Sequence, residues 1–185
     1  FARSEEHLAF AEALRAPALA PHVRLHLDRE GTGQKIDLRA LLEGYGSALA
    51  ARHATPAEVE ALRAEARQFD ALVRAAEIDT RAVAESNNRF HRLLLAAGKN
   101  QRIASLLTAV VHVPLVRHTF AKYARETFER SAQHHHDLVA AIAARDPVWA
   151  ENAMRAHIHA AKFAIFGPRP EAPPEPAARK KARKP

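Results

Sequence analysis

Asn87-Asn88-Arg89-Phe90-His91-Arg92-Leu93-Leu94 is the stretch on which the reading of this chain rests. Residues three and four apart on a helix share a face, so Asn87 and His91 point the same way as Leu94 and Leu95. A polar pair is thereby carried on an apolar stripe. The arrangement recurs twice further along the chain. His135 stands in the series His135, Leu138, Val139, Ile142, with core spacing, and His157 shares a stripe with Ala150, Ala153, Met154, Ala161, Ala164 and Ile165. Three imidazoles on three predicted helices are expected to aim at one core.

The rest of the sequence fits a helical domain. With 185 residues, 48% of them hydrophobic, the chain can bury one sizeable core. Six glycines, 6% aromatics and abundant Ala, Leu, Arg and Glu favour an all-α fold over a sheet. The absence of cysteine excludes disulfides, thiolate metal sites and cysteine nucleophiles, and fits a reducing cytoplasm. The longest apolar stretch, residues 103–116, is interrupted by Ser105, Thr108, His112 and Pro114 and is too short and polar to span a bilayer. Arg3, Glu5 and Glu6 break any secretory pattern at the start. A cytoplasmic protein with no membrane partner is the expectation.

Punctuation residues divide the chain. A short helix is expected over 3–15, followed by an irregular connection from Pro17 to Gln34 containing Pro21, Gly31 and Gly33. The first full helix is expected from Asp37 to Arg52, with Leu38, Leu41, Leu42, Tyr45 and Leu49 inward. Its Gly44 and Gly46 weaken it but permit close approach of another helix. Thr55-Pro56-Ala57-Glu58 is a capping box that starts a second helix, running to about Ala76. Asp79 caps a third, from Thr80 to Ala97, ended by Gly98, and Asn100 caps a fourth that Pro114 must kink or break. A fifth spans about Arg125 to Ala144, and Asp146 caps a sixth reaching about Phe166. Six helices with short connections predict an antiparallel bundle.

The net charge of +7 is unevenly spread. Residues 167–185 hold six basic against two acidic side chains and six prolines, a net of four of the seven charges. This stretch reads as a disordered, basic, Pro-rich tail, either a solubilising terminus or a source of nonspecific attraction to phosphates.

Imidazole is a common ligand of zinc, nickel, copper and iron. Three of them with an amide or carboxylate oxygen leave room for a further ligand on the metal. The competing reading is that each is a hydrogen-bonded core histidine. From spacing alone both stay open, as do a metal-dependent hydrolase or isomerase and a metal-free interaction bundle. Against an enzyme, there is no H-E-x-x-H, no E-x-x-H pair and no phosphate loop, and the expected inner stripes offer no acidic residue as general base.

Residues 87–94 resemble the D/N-x-x-F-H motif of the C-terminal effector-binding (FCD) domain of FadR-type regulators in the GntR transcription-factor family. Three further blocks follow the family's order. Asp37-Leu38-Arg39-Ala40-Leu41-Leu42-Glu43 is similar to its L-R-x-x-L-E start. His135-His136-Asp137-Leu138-Val139-Ala140-Ala141-Ile142 with Asp146 resembles its H-x-x-I-L-x-A-I run, and Met154-Arg155-Ala156-His157 its M-x-x-H. The likeness spans roughly residues 36–165. It implies an FCD-like bundle in which Asn87, His91, His135 and His157 ligate a divalent metal, zinc or nickel, and a small carboxylate effector completes the coordination.

Asn87 stands where the family most often has Asp. One negative charge fewer implies a weaker hold on the metal and a stronger pull of the metal on an anion. His134 occupies a position where the family often has Glu. Arg39 suits an effector carboxylate, since a guanidinium grips two oxygens, although it equally suits a surface pair with Glu43. Arg117 is a second effector candidate, His112 and His118 are minor ligand candidates, and His134, His136 and His159 are expected to face solvent. The resemblance further implies a homodimer. Contact with DNA is expected only through a winged helix-turn-helix, for which residues 1–35 are too short. The organisation expected is therefore a short segment at 1–35, the FCD-like domain at 36–166 and the tail at 167–185.

Overall fold

The computed structural model describes residues 21–110, 120 and 123–167. Six helices are bounded among them: α1 (Pro21–His53), α2 (Pro56–Arg74), α3 (Thr80–Ala97), α4 (Gln101–Val110), α5 (Arg125–Ala143) and α6 (Pro147–Phe166). No strand occurs among the described residues. The expected helix at 3–15, Pro114, Arg117, His112, His118 and the tail beyond Gly167 lie outside them.

The caps form as their chemistry requires. Thr55 Oγ1 accepts from the Glu58 amide at 3.2 Å while Glu58 Oε2 accepts from the Thr55 amide at 2.8 Å, so two otherwise unpaired donors are satisfied at the start of α2. Asp79 Oδ1 accepts from the Arg81 and Ala82 amides, and Asp146 Oδ1 from those of Val148 and Trp149. Asn100 Oδ1 does the same for Arg102 and Ile103.

The first helix departs from expectation in extent and in orientation. It is continuous from Pro21, and Gly31 and Gly33, expected in an irregular connection, lie within it. A helical glycine costs only about 1 kcal/mol relative to alanine, which tertiary contact offsets. The contact here is α6: Lys162 Nζ donates to both Asp37 oxygens at 2.6 and 2.7 Å. Leu38, Leu41 and Tyr45, expected inward, are exposed, whereas Ile36, Ala40, Glu43, Ser47, Ala50 and Ala54 are buried. The inner stripe of α1 is made mostly of small residues, because α6 runs antiparallel along it at close range. Asp37 meets Lys162, Gly44 faces Arg155 and Glu151, and the Arg52 carbonyl accepts from Arg145.

The remaining helices complete the bundle. α2 packs on α3 and α5, α5 also packs on α6, and α3 and α4 close against α1. The main core joins Leu62, Phe90, Leu94, Leu138, Ile142, Met154 and Ile158. A second cluster gathers Phe69, Val73, Val83, Phe120 and Phe128, and a third, small one ties Ile103 and Leu107 of α4 to Leu49.

Gly98 is required for a reason other than its conformation. Its backbone is right-handed (φ −71°), and the left-handed residue that ends the helix is Lys99 (φ 56°). A Cβ at Gly98 would stand 2.9 Å from the Gly46 carbonyl oxygen, a backbone atom that cannot swing aside. Gly98→Ala is therefore expected to destabilise the protein by about 1–3 kcal/mol, as overpacking does. Urea unfolding checks it, and an unchanged midpoint would show that the two backbones separate freely.

Candidate metal centre

Phe90 and His91 are neighbours on α3, and the helical turn sends them to different partners. The Phe90 ring stacks on His135 of α5 with centroids 4.1 Å apart and planes 14° apart, while Phe69 of α2 meets the same imidazole edge-on at 4.6 Å. His135 is thereby wedged between two phenyl rings and fully buried. His91 and His157 of α6 face it with ring centroids at 5.8 and 5.0 Å. The three sequence-predicted histidines are brought together in the bundle's interior. Asn87 is buried one turn before His91 on α3.

The donor set fits a divalent cation. One ring nitrogen from each of His91, His135 and His157 lies within 4.8 Å of the others, and all three residues are buried. His91 Nε2 and His157 Nε2 are 3.2 Å apart. Two nitrogens on one tetrahedral zinc stand about 3.3 Å apart, given Zn–N distances of 2.0–2.1 Å. Neither nitrogen of His135 has a hydrogen-bond partner, nor does His157 Nδ1. Buried polar atoms are ordinarily paired, so these rings are suited to a ligand rather than to packing alone. Burial pushes both His135 and His157 well below the usual histidine range, with the neighbouring imidazoles acting in the same direction. Both rings are neutral at pH 7, the form that ligates metal.

His134 departs from the solvent-facing position expected of it. Its ring meets His157 edge-on at 5.7 Å, its Nδ1 is buried without a partner, and burial lowers its pKa. His136 is half-buried and His159 is exposed.

The expectation that the inner stripes carry no acidic residue is overturned by Glu43. Its side chain is buried, Oε1 accepts from Arg39 Nε at 2.5 Å, and Oε2 pairs with His91 Nδ1. Burial alone would push the Glu43 carboxyl up. The Arg39 charge, His91 and the hydrogen bonds from both outweigh it and hold the group below the usual carboxylate range. Both oxygens are thus engaged. The signal lay in the spacing 36, 40, 43, 47, 50, 54, a regular stripe that the larger leucines of the same helix outweigh on hydrophobicity. The Arg39–Glu43 pair, one of the two alternatives for Arg39, forms, but at the lip of the core and not on the surface.

A cavity of about 700 Å³ adjoins this pair. Arg39 and Glu43 of α1, Asn88, His91, Arg92 and Leu95 of α3, and Gln101, Ala104, Leu107 and Thr108 of α4 line it. His91 alone of the three clustered histidines reaches the cavity wall. One imidazole therefore belongs both to a buried cluster of nitrogens and to a space large enough for a small molecule.

Comparison with known proteins agrees with this architecture. No curated protein matches the sequence. A solved structure described as Streptococcus agalactiae GntR shares the fold, with a TM-score of 0.61 and 22% identity over 87% of this chain and 66% of its own length. This chain thus spans less than two thirds of that protein. The family described as FCD domain matches residues 34–160, a range that contains the helices bearing Arg39, Asn87, His91, His135 and His157. Motif order, helical architecture and family match coincide over the same residues, and the chain belongs to the FCD domain family.

Proposed function

We propose that this chain is the metal-dependent effector-binding domain of a GntR/FadR-type transcriptional regulator, and that its effector is a small carboxylate. The observation that carries the reading is the position of His91, shared between the buried imidazole cluster and the cavity that also exposes Arg39. Asn87, His91, His135 and His157 hold a divalent metal, zinc or nickel, which when bound supplies a coordination position for an anion's oxygen. Arg39 offers its terminal guanidinium nitrogens to the carboxylate while its Nε stays on Glu43. Leu95, Ala104 and Leu107 give the cavity an apolar wall that keeps water from competing for those contacts.

In this reading the effector shifts the packing of the bundle, and the shift is passed to a homodimer partner or to an attached winged helix-turn-helix. Couplings of about 1–3 kcal/mol suffice for such switches. Both oxygens of Glu43, the buried carboxylate beside the cluster, are occupied, which favours a receptor over an enzyme needing a free general base. No helix among the described residues is long and apolar enough to cross a membrane.

The test is elemental analysis of protein purified without added metal, followed by acetate and gluconate titrations of the wild type and His91→Ala. One equivalent of zinc or nickel per chain is expected in the wild type, with loss of the metal and at least about tenfold weaker carboxylate binding in the variant. A wild type without metal, and a variant that changes neither property, overturn the reading. Turnover of a carboxylate under the same conditions would make it an enzyme.

A further inference from the structure

Glu43 touches both halves of this site. On one side it grips Arg39, which lines the cavity, and on the other it meets His91 at Nδ1. An ionised carboxylate accepts hydrogen bonds only, so the proton between Glu43 and His91 sits on Nδ1. A neutral imidazole protonated there has its lone pair on Nε2, the nitrogen that faces His157 at 3.2 Å. We infer that Glu43 is a positioning residue: it locks His91 in the tautomer that turns a bare Nε2 toward the histidine cluster, and it couples that tautomer to Arg39 at the cavity.

The inference deepens the reading of the site as a metal-dependent receptor and rests on it for its regulatory meaning. Arg39 is a shared donor. A carboxylate entering the cavity and Glu43 draw on the same guanidinium, so anion binding at Arg39 changes the hydrogen bonding of the carboxylate that orients His91. The contact is one side chain long on each side, and Glu43 is almost wholly shielded from water, which keeps the pairing strong.

Histidine side-chain nitrogen NMR on metal-free protein reads the tautomer directly, with His91 assigned by difference from His91→Ala. The wild type is expected to show His91 protonated at Nδ1 and bare at Nε2. Glu43→Gln and Glu43→Leu are expected to give a mixture of tautomers, and Arg39→Gln to move the His91 Nδ1 proton resonance. Zinc binding to Glu43→Gln, measured by competition with a chelator, is expected to weaken about 10- to 100-fold, the usual effect of losing a residue that orients a ligand. A wild type with His91 protonated at Nε2, an unmoved resonance in Arg39→Gln, or zinc affinity in a folded Glu43→Gln within about threefold of the wild type would each overturn the proposal. Should both Glu43 variants fail to fold, the wild-type tautomer and Arg39→Gln decide. Absence of zinc binding in the wild type sinks the metal-receptor reading, while the tautomer measurements still decide what Glu43 does.

Discussion

His135→Leu is expected to make the metal-free protein more stable by about 1–3 kcal/mol and, on the proposed metal-binding reading, to abolish stabilisation by added zinc or nickel. The wild-type ring is fully buried with both nitrogens unpartnered, and each unpaired buried polar group carries a desolvation penalty of that order. Leucine has similar volume and lies well between Phe69 and Phe90, which need only an apolar surface to pack on. Ligand binding to the folded state alone stabilises by about 2.7 kcal/mol at a hundredfold excess over the dissociation constant. Thermal and urea unfolding with and without added zinc separate the two effects. A variant less stable than the wild type without metal, or one that zinc still stabilises fully, would contradict this account of the ring.

The second large effect is on acid stability. His135 and His157 are held neutral in the folded state, chiefly by burial, so their folded pKa values lie below the unfolded ones. As pH falls through about 6.5 the unfolded chain takes up protons that the folded protein cannot, and stability drops by up to about 1.4 kcal/mol per pH unit for each ring. Between pH 7.5 and 5.5 the metal-free protein should lose about 2–3 kcal/mol. Glu43 has the opposite sign. Its depressed carboxyl contributes stability that is present above its unfolded value and is lost only in stronger acid, so it leaves this window unchanged. His135→Leu should remove about half of the slope. Urea midpoints at the two pH values give the answer, and a wild type equally stable at both would mean that the buried rings accept protons.

The sequence made the helices and the histidine cluster legible because their signals are local. Thr55, Asp79 and Asp146 are caps whose chemistry acts within three residues, and α2, α3 and α6 begin where those caps place them. His91, His135 and His157 could be placed inward because each shares its helix face with larger apolar side chains. α1 was harder to read for the same reason. Its leucines suggest a face centred on Leu38, Leu41 and Tyr45, but the face that packs is chosen by the reach of α6, which demands small residues. That choice depends on a helix more than a hundred residues away, and the stripe that marks it in the sequence is outweighed by the leucines of the same helix. Glu43 was hidden by it. Gly98, too, reads as a helix terminator, whereas its requirement comes from the Gly46 carbonyl, a contact no local pattern encodes.

The small cluster of Leu49, Ile103 and Leu107 is what fastens α4 to the rest of the bundle. α4 contributes Gln101, Ala104, Leu107 and Thr108 to the cavity wall and none of the three clustered histidines. In the proposed receptor α4 would shape the space offered to the guest, while the ion would be held by side chains of α3, α5 and α6. Exchanging side chains on that helix would then be expected to alter which acid is preferred and to leave the histidine cluster in place.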